Sequence, residues 1–207
     1  IVNPAHEIIY IIMFKKNKLQ PISNWLKKNG WQFYDHQLNV LKYTLKKFDV
    51  LLIAPTGGGK TLAGFLPPIY DLLSNGEKGK LNTLYISPLK ALTTDVHRNL
   101  IKPIQDQNID ISVQTRTGDT PHSKRIKQKT NPPNMLMTTP ESFALMMSDS
   151  NAEDFFSDLK FIVVDEVHNL INTKRGDLLA LNLARIEDLA PSCQRLGLSA
   201  TIKNKKI

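Results

Sequence analysis

Lys60 and Thr61 close the stretch Ala54-Pro55-Thr56-Gly57-Gly58-Gly59-Lys60-Thr61, which places an ammonium and a hydroxyl directly after three glycines. Those groups at that spacing suit a polyphosphate. Residues without side chains let successive backbone N–H groups turn inward around an anion, and a helix that follows aims its N-terminus at the same charge. Lys60 can reach the β- and γ-phosphates, and the Thr61 hydroxyl can ligate Mg²⁺. The strict pattern opens on glycine; here a small alanine, Ala54, takes that place. A second set of groups, Asp165-Glu166-Val167-His168, follows the apolar run Phe161-Ile162-Val163-Val164. An acid in that position can hold Mg²⁺ on a triphosphate, with Asp165 acting through water. Glu166 would then orient or deprotonate the attacking water. Gln37, a short distance before the glycines, offers the amide donor and acceptor needed to read an adenine edge. Taken singly, each set has a plain alternative: a glycine-rich surface turn, a polar strand end, a surface glutamine. Together, and in strand–turn–helix context, they predict an NTP site.

The elements that must position these groups follow from the hydrophobic pattern. Val50-Leu51-Leu52-Ile53 reads as the strand before the glycines, and Leu62 to Leu73 as the helix after them, bent or ended by Pro67-Pro68. Upstream, a short helix starts near Pro21 with Ser23 as cap and Gly30 as stop. The next carries Leu38, Leu41, Leu45 and Phe48 on one face. Further strands are expected at Thr83–Ile86, Ile111–Thr115, Asn134–Thr138 and Phe161–Val164, and the chain closes on Arg195 to Thr201 and a basic tail. Between them lie a helix to about Leu100, a basic helix from Pro121 to Lys129, and a helix from Asp177 to Leu189 preceded by a polar loop with Lys174-Arg175-Gly176. Pro140 suits a helix's first turn. Alternating strands and helices predict an α/β fold, a mostly parallel sheet with helices on both faces. In such sheets ligands gather at the carboxyl ends of the strands, and every polar cluster falls at one.

At 207 residues the chain suits one domain. Its 27 Lys and Arg against 19 Asp and Glu give a net charge of +8, which favours a polyanionic partner, although a lysine-rich surface alone would also produce it. One cysteine, Cys193, excludes an internal disulfide and reads as an inert core or loop thiol in a reducing compartment. The longest apolar run, Ile8 to Phe14, is far short of the roughly 20 residues that span a bilayer, and its lysines follow it, unlike a signal peptide. A cytoplasmic protein without a membrane segment is expected. Residues 1–20 read as a poorly defined N-terminal extension, and residues 1–12, ahead of Met13, as upstream or fragment sequence.

Gln37, the Ala54–Thr61 loop, Asp165-Glu166-Val167-His168 and Ser199-Ala200-Thr201 resemble, in order, the motifs of superfamily 2 DExH-box helicases. Ser87-Pro88-Leu89-Lys90-Ala91-Leu92, Arg116-Thr117-Gly118-Asp119-Thr120, Thr138-Thr139-Pro140-Glu141-Ser142 and Lys174-Arg175-Gly176 are similar to motifs of the Lhr (large helicase-related) group, which includes ligase-associated members. The resemblance implies that residues 21–207 form the N-terminal RecA-like domain of a phosphate-loop motor using ATP and Mg²⁺. It implies a catalytic set of Lys60, Asp165, Glu166 and His168, metal contacts at Thr61 and Asp165, and adenine contact at Gln37. Pro88, Leu89, Lys90, Thr117, Gly118, Thr139 and Pro140 would touch the backbone of one nucleic-acid strand, positioning it without reading sequence. His168 and Ser199, Ala200 and Thr201 would link the two sites. The implied partner is single-stranded or partly duplex nucleic acid, DNA ahead of RNA. A second RecA-like domain, in cis or on a separate chain, would supply arginines to the γ-phosphate; the chain is expected to be the first motor domain alone, truncated or split. Two other readings stay open on the residues: a phosphate-loop NTPase that ignores nucleic acid, and a non-catalytic nucleic-acid-binding remnant. ATPase activity with and without single-stranded DNA separates the first from a helicase; salt-dependent DNA binding indifferent to ATP would mark the second.

Overall fold

The computed structural model describes residues 19–88, 96, 100–102 and 104–200. Six short strands build one sheet: β1 (Val50–Ile53), β2 (Thr83–Ile86), β3 (Val113–Arg116), β4 (Met135–Thr138), β5 (Phe161–Val164) and β6 (Gln194–Ser199). Their spatial order is β1-β6-β5-β2-β4-β3, and every neighbouring pair is parallel. All six carboxyl ends therefore open on one edge of the sheet.

Side chains alternate across this sheet, and each face is covered. On one face Tyr85, Met137, Val163 and Leu198 pack beneath α1 (Gln20–Lys28), α2 (Asp35–Leu45) and α3 (Lys60–Asn75). On the other, Leu84, Leu136, Ile162 and Val164 meet α5 (Pro140–Met147), α6 (Ala152–Phe156) and α7 (Lys174–Leu189). Burial on both faces explains why β2, β4 and β5 are fully buried. The basic helix α4 (His122–Thr130) lies outside, with Gln128 its buried residue.

Several local expectations shift. Ser23 does not cap α1; the helix begins at Gln20 and Ser23 is buried within it. The inner face of α2 is Gln37, Val40, Leu41 and Thr44, while Leu45 and Phe48 are exposed. Helix α3 is unbroken from Lys60 to Asn75, with Pro67 and Pro68 buried inside it, so packing on the sheet outweighs the hydrogen bonds that proline removes. Apart from residues 96 and 100, the expected helix to about Leu100 lies outside the described residues, as does the expected N-terminal extension up to residue 18.

Lys174-Arg175-Gly176 are the first turn of α7 and not a loop. Thr173 caps that turn, its hydroxyl accepting from the Gly176 N–H at 3.1 Å and donating to the Leu170 carbonyl at 2.7 Å. The turn folds so tightly that a Cβ on Gly176 would lie 2.0 Å from the Leu170 oxygen. Gly176→Ala is therefore expected to destabilise the domain by about 1–3 kcal/mol, the cost of forcing an atom into a filled site, measured by urea denaturation.

Candidate nucleotide site and strand-binding loops

The sheet order divides the polar clusters into two groups. β1, β6 and β5 carry the glycine loop, Ser199-Ala200 and Asp165-Glu166; β2, β4 and β3 carry Pro88, Thr139-Pro140 and Thr117-Gly118. In the chain the second group is contiguous and flanked by the first, and the crossover that sets β6 beside β1 gathers the first group's separated members.

In the first group the Ala54 N–H donates to the Ser199 carbonyl at 3.1 Å, extending the β1–β6 pairing into the loop. The Gly58 N–H closes a turn on the Pro55 carbonyl at 3.0 Å, and Lys60 Nζ donates to the same oxygen at 3.1 Å. Lys60 is buried, whereas Pro55, Thr56 and Gly57 are exposed. Gly59 adopts φ +71°, a conformation side chains disfavour. A Cβ there would also meet Gln37 Nε2 at 2.5 Å.

Gln37 is a strut. Its Oε1 accepts from the Tyr34 N–H at 2.9 Å and its Nε2 donates to the Gly59 carbonyl at 3.0 Å, so the buried amide ties the start of α2 to the loop. One amide hydrogen and one lone pair remain for a ligand. Tyr34, Gln37, Gly57, Gly59 and Thr61 share the lining of a cavity of about 510 Å³ that continues into an apolar groove past Trp25 and Phe65.

Asp165 is buried with its carboxylate fixed at both oxygens: Oδ1 accepts from the Glu166 N–H at 2.8 Å, and Oδ2 from the Tyr85 hydroxyl. Burial raises the Tyr85 phenol well above its ordinary value, and the neighbouring Asp165 charge raises it further, so it stays a donor. Each oxygen accepts one hydrogen bond and keeps a lone pair for the water shell of an oxygen-seeking cation. With the Thr61 hydroxyl, the donor set fits a cation carried in on phosphates. The phenol was not singled out from the sequence; its signal is a tyrosine in a buried strand, where the hydroxyl must find a partner. Tyr85→Phe removes a hydrogen bond to a charged group and is expected to cost about 1.5–3 kcal/mol of stability, read as a lowered denaturation midpoint.

Glu166 sits in the left-handed region at φ +50°, a strained setting for a side-chain-bearing residue and one found at functional sites. His168 joins the two strand ends. Its Nε2 lies 3.2 Å from Glu166 Oε2, its Nδ1 lies 3.1 Å from Ser199 Oγ, and the Ala200 N–H points at Nδ1 from 3.4 Å. The consistent arrangement has Nε2–H donating to Glu166 and Nδ1 accepting from Ser199.

In the second group, Arg125 of α4 gathers the turn after β3, donating to the carbonyls of Thr120 at 2.8 Å, Gly118 at 2.7 Å and Thr117 at 3.3 Å. Gly118 is exposed and Thr117 half-buried. Thr139 and Pro140 are buried, and the Thr139 hydroxyl caps α5 by accepting from the Ser142 N–H. With these side chains buried, the opening turn of α5 is what stands at this strand end. Leu89, Lys90 and Thr201 lie outside the described residues. Cys193 is set apart from both groups, its thiol pushed up to about 12 by burial, in keeping with an inert role.

The DEAD/DEAH box helicase family model matches residues 34–207, and the chain belongs to that family. Among its relatives are the Escherichia coli Lhr helicase/uracil glycosylase, 45% identical over 74% of this chain and 11% of its own length, and the Thermococcus barophilus ATP-dependent helicase Lhr-Core protein 2, 37% identical over 88% and 23%. The Mycobacterium smegmatis helicase Lhr bound to ssDNA and AMP-PNP superposes with a TM-score of 0.74 at 40% identity, covering 82% of this chain and 23% of that one. The resemblance to the Lhr group and the RecA-like fold are thus borne out. The chain spans about a quarter or less of the length of these relatives. Among the described residues no helix is long and apolar enough to cross a membrane.

Proposed function

We propose that the chain is the ATP-binding motor domain of an ATP-dependent nucleic-acid helicase that holds Mg²⁺–ATP and one strand of DNA. The observation that carries this reading is the sorting of strand ends, nucleotide-type groups on β1, β6 and β5 and loop clusters of the strand-binding type on β2, β4 and β3. In this reading Ala54 to Gly59 cradle the phosphates, with Lys60 neutralising the β- and γ-phosphates. Thr61 and Asp165 hold the Mg²⁺, which supplies charge neutralisation and alignment of the phosphates. Glu166 positions water, Gln37 meets the adenine with its free amide groups, and His168 with Ser199, Ala200 and Thr201 couples the halves. Pro88 to Lys90, Thr117-Gly118 and the α5 turn at Thr139-Pro140 grip the sugar-phosphate backbone. The structure of the M. smegmatis Lhr with ssDNA and AMP-PNP supports DNA as the strand.

Full turnover in this reading draws on arginines of a second RecA-like domain, in cis or on another chain, since an arginine finger contributes on the order of 10³–10⁵ in rate. The test is ATP hydrolysis by the 207-residue chain with and without single-stranded DNA. Slow hydrolysis that DNA accelerates supports the reading. Nucleotide binding wholly indifferent to DNA would favour an NTPase with another target, and DNA binding without nucleotide binding a non-catalytic module.

A further inference from the structure

Arg175 stands in the first turn of α7, nine residues beyond Glu166, yet its guanidinium reaches the other half of the sheet. Its Nε and Nη2 take the two oxygens of Glu141 as a fork, the second at 3.1 Å, and Nη2 also donates to the Pro88 carbonyl at 2.7 Å. Pro88 follows β2, and Glu141 lies in the first turn of α5 after β4. One side chain, on the segment that leaves the Asp165-Glu166 strand, therefore fixes two of the loops assigned to the nucleic-acid strand. Glu141 is itself out of place by charge: it is an exposed carboxylate beside a surface meant for a polyanion. Left alone it would repel phosphate. Paired in a planar bidentate geometry, it instead gives Arg175 a fixed orientation that a lysine could not adopt.

Resting on the strand-binding role given above, we propose that Arg175 and Glu141 are positioning residues: a clamp that holds the Pro88 loop and the opening turn of α5 at the spacing one nucleic-acid strand requires, and ties both to the nucleotide half. Arg175 acts through the loops and not by touching phosphate. The thermodynamic consequence is opposite in sign to plain electrostatics. Removing an acid near a polyanion site ordinarily tightens binding; removing Glu141 from a clamp loosens it.

The test measures affinity of the full chain for a fluorescent oligo-dT strand in the presence of Mg²⁺ and AMP-PNP, across a salt series, with AMP-PNP affinity measured in parallel. Glu141→Ala and Arg175→Ala are each expected to weaken DNA binding by roughly tenfold, the scale of one charge-assisted pair, with AMP-PNP affinity unchanged. Arg175→Lys should be as weak as Arg175→Ala. The salt slope of Arg175→Ala should match the unaltered chain, whereas loss of a direct phosphate contact would flatten it by roughly 0.7. Tighter or unchanged DNA binding by Glu141→Ala overturns the clamp, as does full rescue by Arg175→Lys. So does a parallel fall in AMP-PNP affinity, which would mark a general brace of the fold. If the unaltered chain binds no DNA, the strand-binding role falls and the clamp with it.

Discussion

Lys60→Ala is expected to abolish useful nucleotide binding, lowering affinity for Mg²⁺–ATP by about two orders of magnitude, or near 2.7 kcal/mol. Lys60 is buried at the start of α3, where its charge would act on phosphates bound in the proposed site with little solvent screening. Its ammonium donates to the Pro55 carbonyl, and that oxygen also accepts from the Gly58 N–H. The loop turn therefore keeps a closing hydrogen bond when the lysine is gone, so the loss should fall on the ligand and not on the fold. Isothermal titration with AMP-PNP, alongside a thermal midpoint within a few degrees of the unaltered chain, would show this. An affinity unchanged by the substitution would remove Lys60 from the site.

Glu166→Gln should leave nucleotide binding intact while hydrolysis drops by about 10²–10⁴, the range for loss of a positioned general base. The amide retains the shape of the side chain, and its oxygen can still accept from His168 Nε2–H, 3.2 Å away in the native pair. The backbone hydrogen bond from Glu166 to Asp165 is also untouched. Only the capacity to take a proton from water is lost. Single-turnover hydrolysis, measured beside AMP-PNP affinity, separates this from a binding defect. A variant that hydrolyses normally would place the base elsewhere.

Helix starts and ends were less legible than strand identities. β2 and β5 stand where the apolar runs predicted them, because a strand covered on both faces must be continuously apolar. Ser23 reads as a cap by residue type, yet the same type is at home buried in a helix with its neighbours packed around it. Pro67-Pro68 read as a bend or break because local propensity takes no account of the sheet beneath α3. Lys174-Arg175-Gly176 looked like a loop by polarity; Thr173 makes it a helix turn through one cap, a contact that polarity does not encode.

The sequence by itself determined the chemistry: three glycines, a lysine and a threonine after one strand, and an acid pair after another, each forced to a strand end by the pattern around it. Local spacing suffices there because the groups that act together within each motif are adjacent in the chain. Only the tertiary structure decided how motifs far apart in the chain come to lie together. The order β1-β6-β5-β2-β4-β3 brings residues 54–61, 165–168 and 199–200 to one half of the sheet edge and 88, 117–118 and 139–140 to the other. It also decided the roles of Tyr85, Arg125 and Arg175, whose partners are distant in sequence or are backbone carbonyls that no residue type announces. Hydrogen bonds between crossing segments depend on where parallel crossovers deliver each strand, and that is a property of the packed sheet.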